Sequence, residues 1–490
     1  MTTSSAKRLR PAEASLEELI ETADSWLIDY DEDDDERLSL RELEQLKKQL
    51  QAQTASPAAQ QAPLPTQTLM KMVDADDDGF ATRNELVDML KRMKGFDGGH
   101  VAREDAKKPQ AAEGDGLNNG SFGAAPQPVL KAEMAHRSWW RANPDAAYFG
   151  IGASSLDARL AAAADAAAVA IGAPAGSVAL VENATVATAI IASRWAKALR
   201  EGRHERRSVL LLDVCYKAAA YSVRDICGAA GGALSFASVP FPDTTTESIL
   251  KSLDGTLAAT RPRFAMLDHV SSQPAIVMPL REMIALCRAH DVEEVAVDGA
   301  HGLGLVEAVD VSALGADFYF TNLHKHAFVP GTATVLHVAT DTARASTAHI
   351  APSWHSGQGV ITEARWPGTR DFASLLAVPE ALEYLATWRS VDALNAPTYN
   401  ARGWQDAAAQ LSEAWGVAPA VADPALSSPS KGVRATLRER YGIEAAVGGF
   451  GAHGGFLRLS HAVYTTDEDI RRLRDAVSEM AAAAARHKGT

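Results

Sequence analysis

From about residue 117 onward the chain alternates short apolar or β-branched runs with alanine-rich runs of helical period. SVALVEN, SVLLLDV, ALSFASV, RFAMLDHV, EEVAVDGA, ADFYFTN and ATVLHVA read as strands. Segments such as LDARLAAAADAAAVAIG and MPLREMIALCRAHD between them read as helices. That alternation predicts an α/β fold, a mostly parallel sheet with helices on both faces. From residue 373 the chain is helix-rich and ends in a strand-like FLRLSHAVY and a final helix, which predicts a smaller α+β domain over 373–490. Ahead of all this, residues 15–50 and 65–95 each read as helix, acidic loop, helix, joined by a Gln-, Ala- and Pro-rich connector. The expected division is an all-α module over 1–95, a Gly-, Lys-, Asp- and Pro-containing linker over 96–116, a large domain with an N-terminal arm over 117–372, and the small domain.

Composition adds a charge asymmetry. The 490 residues exceed one compact core and carry a net charge of −14. Residues 1–100 hold 12 Lys or Arg against 21 Asp or Glu, so most of the acidity is N-terminal. Acid concentrated there argues against a nucleic-acid surface and for cation binding or simple solvation. Cys215, Cys227 and Cys287 have no CxxC spacing, which disfavours a disulfide scaffold and a cysteine zinc site. No run of 18 apolar residues suggests a membrane span, and the first residues lack a signal-peptide apolar core. A cytoplasmic protein with neither membrane nor nucleic acid as partner is expected.

The acidic loops have ordered chemistry. Asp74, Asp76, Asp78 and Thr82 place oxygen donors at positions 1, 3, 5 and 9 of a 12-residue loop. Phe80 offers a backbone carbonyl at position 7, Gly79 the sharp turn at 6, and Glu85 a bidentate carboxylate at 12. The earlier loop keeps Asp31, Asp33, Asp35, Arg37 (by its carbonyl), Ser39 and Glu42 in those places, with Glu36 where glycine belongs. Residues 15–95 resemble the EF-hand family, with one well-formed and one degraded loop, and calcium is the expected ion.

A second constellation lies in the large domain. EEVAV ends in Asp298, with His301 three residues on, and DFYFTN leads into His324-Lys325-His326. An acid ending one parallel strand and a lysine just past the next share the sheet edge where such folds bind ligands. Pyridoxal phosphate chemistry needs this pair, a lysine to condense with the cofactor aldehyde and a carboxylate to keep the pyridine nitrogen protonated. Alone, Lys325 would read as an exposed loop lysine and Asp298 as a helix cap. Their joint placement favours the cofactor.

Seven ordered motifs then carry a resemblance: LNNGSFG at 117–123, ENAT at 182–185, DHVSS at 268–272, DGAH at 298–301, NLHK at 322–325, GTRD at 368–371 and LRLS at 457–460. Residues 115–490 resemble the class V aminotransferase family, in its isopenicillin N epimerase-like subgroup with plant-type L-cysteine desulfhydrases and hercynylcysteine sulfoxide lyases. The resemblance implies the type I fold of pyridoxal phosphate enzymes, with pyridoxal 5'-phosphate as cofactor and a homodimer with Thr369 reaching the phosphate of the neighbouring subunit. It implies that Asn183, Ala184 and Thr185, opening a helix after SVALVE, bind the phosphate with Asn322 and His324. Tyr216 is expected to stack on the ring, with a neighbouring register as the alternative, while His301 meets the phenolic oxygen and Ser272 lines the cofactor. Arg458 resembles the family arginine that grips the substrate carboxylate. Arg370 is expected to read a second carboxylate or the product, and Asn119 to meet substrate at the entrance. Asn322 departs from a commoner Ser, and His326 stands where close relatives have Trp.

The reaction expected is β-elimination from cysteine, a cysteine conjugate or a sulfoxide. Arg458 fixes the carboxylate, Lys325 removes the α-proton, and the products are a sulfur compound, pyruvate and ammonia. Calcium control is a corollary of the N-terminal loops. Epimerisation at the same carbon is the alternative chemistry, and needs a second acid/base group. A calcium sensor built on a pseudo-enzyme is the other alternative, which the intact Asp298, Lys325 and Arg458 argue against.

Overall fold

A computed structural model describes residues 37–39, 80–82, 115–150, 155–201, 205–241, 244–306, 308–390, 394–415, 433–449 and 455–488. Contacts divide the chain into two compact units, Met1–Arg103 and Glu104–Thr490.

In the first unit, strands β1 (Arg37–Ser39) and β2 (Phe80–Thr82) pair antiparallel, with Leu38 opposite Ala81. These tripeptides are positions 7 to 9 of the two acidic loops, so the loops meet backbone to backbone at equivalent positions. The remaining expected ligands, Asp31, Asp33, Asp35, Glu42, Asp74, Asp76, Asp78 and Glu85, and the helices around them, lie outside the described residues.

The second unit holds a seven-stranded sheet. After a short β3 (Asp115–Gly116), its strands are β4 (Val178–Val181), β5 (Ser208–Leu212), β6 (Ala233–Ala237), β7 (Phe264–Asp268), β8 (Glu294–Asp298), β9 (Phe318–Asn322) and β10 (Thr334–Val338), in spatial order 4-10-9-8-7-5-6. Strand β10 runs antiparallel to both neighbours, and every other pairing is parallel. Each of the seven runs read from the sequence supplies one strand. Their period of two sorts side chains onto opposite faces. Leu210, Leu212, Ala265, Leu267 and Tyr319 enter one core, while Val209, Leu211, Phe264, Met266, Phe318 and Phe320 enter the other. Helices cover both faces, among them Leu156–Ala170 on the first and Ala184–Glu201 on the second.

A smaller module follows, with β11 (Ile443–Glu444), β12 (Ala446–Gly449) and β13 (Gly455–Arg458). Strands β12 and β13 form an antiparallel pair, and β11 pairs in parallel with β3, far earlier in the chain. Leu117 donates its N–H to Glu444 O at 3.0 Å and accepts from Ser460 N at 3.0 Å. Buried, it packs with Leu411, Leu437, Ile443 and Leu473 of this module. The segment 115–118 is therefore tied to the small module, while the turn Asn119–Phe122 that follows packs against the turn Leu323–His326 after β9. No described helix is long and apolar enough to cross a membrane.

Candidate active site

The parallel strands release their following loops at one edge of the sheet, where the candidate chemistry gathers. Lys325 sits in the single turn Leu323–His326 directly after β9. Its Nζ lies 3.0 Å from His301 Nε2, on the loop after β8. Burial pushes the Lys325 amine down to about 8, with Asp298 opposing the shift and Arg458 adding to it. His301 is driven well below the usual imidazole range by burial and by its cationic neighbours, Lys325 first. A neutral imidazole of this kind can accept a hydrogen bond from the lysine.

Asp298 ends β8, and its Oδ1 accepts the Ala300 N–H at 2.9 Å. Burial raises this carboxyl, while the Ala300 N–H and Lys325 draw it back. The residue after it must be glycine, because a Cβ on Gly299 would stand 2.3 Å from the Tyr319 ring. Beside Asp298, in register at the end of β7, stands a second buried acid, Asp268. Its place in the DHVSS motif does not by itself mark a role.

Arg458 closes the site from the small module. It donates to Ser272 Oγ at 3.0 Å, Ser272 O at 3.2 Å, Asn118 Oδ1 at 2.9 Å and Ser121 Oγ at 2.7 Å, while its buried Nε has no partner among the described residues. These partners are all neutral oxygens, so its charge is held in place without an acid to neutralise it. The neighbouring Asn119 is buried in the same turn. Tyr216, ahead of helix Lys217–Gly228, is 57% exposed. His326 is buried, its imidazole pushed down to about 3 by burial, Lys325 and Arg458.

The expected phosphate turn is more engaged than the sequence suggested. Asn183 Oδ1 caps its helix by accepting Val186 N–H at 3.0 Å. Asn322 Oδ1 accepts the Ala184 N–H at 3.1 Å and the Thr334 hydroxyl at 2.6 Å. The Ala184 donor is thus used within the protein, and Thr185 is exposed. His324 Nδ1 lies 3.3 Å from Ala333 O. Arg370 is brought to the Glu182 carboxylate rather than to Arg458, and with Thr369 and His349 lines a separate cavity of about 210 Å³. Sequence reasoning missed Glu182 as that partner, and Asn118 and Ser121 as the supports of Arg458. Among the described residues no group of three His, Cys, Asp or Glu could hold a metal ion.

The donor set fits pyridoxal phosphate. A buried amine of lowered basicity suits condensation with an aldehyde, a buried carboxylate with one N–H donor suits a protonated ring nitrogen, and an arginine with an unpartnered Nε suits a carboxylate. Residues 118–473 match the aminotransferase class-V family, and the chain belongs to that family of pyridoxal phosphate enzymes. Among curated proteins, it is 32% identical to a putative L-cysteine desulfhydrase of Oryza sativa, over 75% of this chain and 83% of that one. It is 30% identical to an L-cysteine desulfhydrase of Arabidopsis thaliana, over 74% of this chain and 87% of that one. Among solved structures, a C-DES mutant with glycine covalently linked to its PLP cofactor superposes with a TM-score of 0.59 at 18% identity, covering 74% of this chain and 96% of that one. The fold is accordingly the type I fold of pyridoxal phosphate enzymes.

Proposed function

We propose that the chain is a pyridoxal phosphate-dependent carbon–sulfur lyase acting on L-cysteine or a cysteine conjugate or sulfoxide. With cysteine the balance is simple: one cysteine and one water give one sulfide, one pyruvate and one ammonia. The observation that carries the reading is the Lys325 amine, depressed to about 8 and 3.0 Å from a neutral His301, in a site shared with Asp298 and Arg458. Bound there, the cofactor supplies a sink for the electron pair left when the α-proton is removed. The chain's own residues do the rest. Arg458 would grip the substrate carboxylate through its fork, already oriented by Ser272, Asn118 and Ser121. Lys325 is unprotonated often enough near neutral pH to take the α-proton, and His301 holds its nitrogen in place. Asp298 would hold the ring nitrogen, Asn183, Ala184, Thr185, Asn322 and His324 would border the phosphate, and Tyr216 would cover the ring.

The cysteines favour elimination over sulfur transfer to an enzyme thiol. Burial pushes Cys215, Cys227 and Cys287 each up to about 12, so none is a ready thiolate. The test is to purify the protein, look for a visible cofactor band that vanishes in Lys325→Ala, and assay pyruvate from cysteine, its sulfoxides and its conjugates. Pyruvate from at least one of them supports the reading; exchange of the α-proton without pyruvate favours epimerisation and overturns it.

We further infer that the N-terminal unit is an EF-hand pair binding calcium, with the Asp74–Glu85 loop the stronger site, and that calcium regulates the lyase. The antiparallel pairing of β1 with β2 at matched loop positions supports the first part. Steady-state activity that is identical in excess calcium and in chelator would sink the second. The reading also includes a cytoplasmic homodimer, for which sedimentation of the holoenzyme is the direct check.

A further inference from the structure

The two acids at the ends of β7 and β8 exceed what one ring nitrogen needs. Asp268 and Asp298 are partners in register on adjacent parallel strands, so their side chains leave the same face of the sheet about 5 Å apart. Both are buried, at 4% and 7% exposure. Among the described residues neither makes a salt bridge. Two like charges at that spacing, shut away from water, do not form together.

The surroundings decide which acid is charged. Asp298 receives the Ala300 N–H at 2.9 Å and feels the Lys325 cation. Asp268 has neither form of support; burial first, and the Asp298 charge second, hold its carboxyl well above the usual range. The other titratable groups around the pair bring no countercharge. Cys215 stays a thiol, pushed up to about 12 by burial and then by Asp268, Asp298 and Asp213. Tyr319 stays a phenol, raised by burial and by Asp298. His269, next to Asp268 in the chain, is pushed down to about 4 by burial and bonds the Tyr319 hydroxyl at 2.9 Å.

We propose that Asp268 and Asp298 hold one proton between them, carried by Asp268, which makes Asp268 a positioning residue for the charged Asp298. As a neutral acid it concentrates the site's negative charge on the carboxylate that faces the cofactor, and its O–H is a donor able to fix the orientation of that carboxylate. The inference rests on the pyridoxal phosphate reading above.

The experiment titrates full-length apoprotein with pyridoxal phosphate in the wild type, Asp268→Asn, Asp268→Ala and Asp298→Asn, each checked for folding by circular dichroism. It also follows the cofactor absorbance against pH. Asparagine mimics the protonated acid, so Asp268→Asn should keep the dissociation constant within about twofold and the pH midpoint unchanged. Asp268→Ala should move the midpoint by about one unit, which Asn restores; a packing role alone would not do this. Asp298→Asn should weaken cofactor binding by about a hundredfold. A loss of about tenfold or more in Asp268→Asn overturns the proposal, because Asp268 would then carry the charge. A wild-type midpoint in Asp268→Ala overturns the positioning role. Unweakened binding in Asp298→Asn removes the cofactor reading itself, and the proposal with it.

Discussion

Lys325 is a buried amine whose lowered basicity is a measurable property of the apoprotein. Its folded value of about 8 lies below the ordinary 10.5, so the neutral, nucleophilic form gains with pH between 7 and 9. The rate at which apoprotein captures pyridoxal phosphate should therefore rise about tenfold over that interval and then level off, as stopped-flow absorbance can follow. Lys325→Ala should lower pyruvate formation by about 10³-fold. Arg458→Ala should raise KM for cysteine about 30-fold or more, with partial recovery in Arg458→Lys, which keeps the charge and loses the fork. These residues were legible in the sequence because each ends or follows a strand at a fixed place in a motif. Asp268 was not, since a strand-terminal acid looks like any turn residue until its neighbour across the sheet is known. Nor was the partner of Arg370, because Glu182 precedes it by 188 residues and only the fold brings the two together.

Each strand of the seven-stranded sheet was readable from its own run of apolar residues, whereas the order of strands in the sheet is a tertiary property. Nothing in ATVLHVA says that β10 runs against its neighbours. Nothing in residues 115–117 says that they join the C-terminal module, since β3 is only two residues long and is defined by its pairing with β11. The phosphate turn shows the same limit. Its place at the start of a helix was foreseen, but the tie from Asn322 to Ala184 and Thr334 depends on β4 and β9 flanking β10. Asn322→Ala should strand those two groups and cost about 1–3 kcal/mol in urea unfolding. Gly299→Ala should cost a similar amount, about 1–3 kcal/mol, by driving a methyl group into the buried Tyr319 ring.

Across the whole molecule, buried imidazoles set the acid limit of stability. His269, His337 and His461 are pushed down to about 4 and His326 to about 3, burial being the first cause in each. Unfolding returns them to an ordinary 6.5, so the unfolded chain binds more protons between pH 6.5 and 4 and stability falls as pH drops through that window. Asp268 and Asp298, raised in the fold, act in the opposite direction, but they are outnumbered, because His301, His324 and His349 are lowered as well. Unfolding free energy from urea titrations should fall by about 3 kcal/mol or more per pH unit below pH 6. The charge asymmetry of the chain is of the same scale: the acidic first hundred residues fall in a unit separate from the enzyme, where the reading assigns them to calcium. The lyase reaction has a fixed product stoichiometry that a single assay reads. Holoenzyme incubated with L-cysteine should release sulfide and pyruvate in a one-to-one ratio, with both lowered about 10³-fold in Lys325→Ala; alanine in place of pyruvate, or D-cysteine without sulfide, would rule out the lyase reaction.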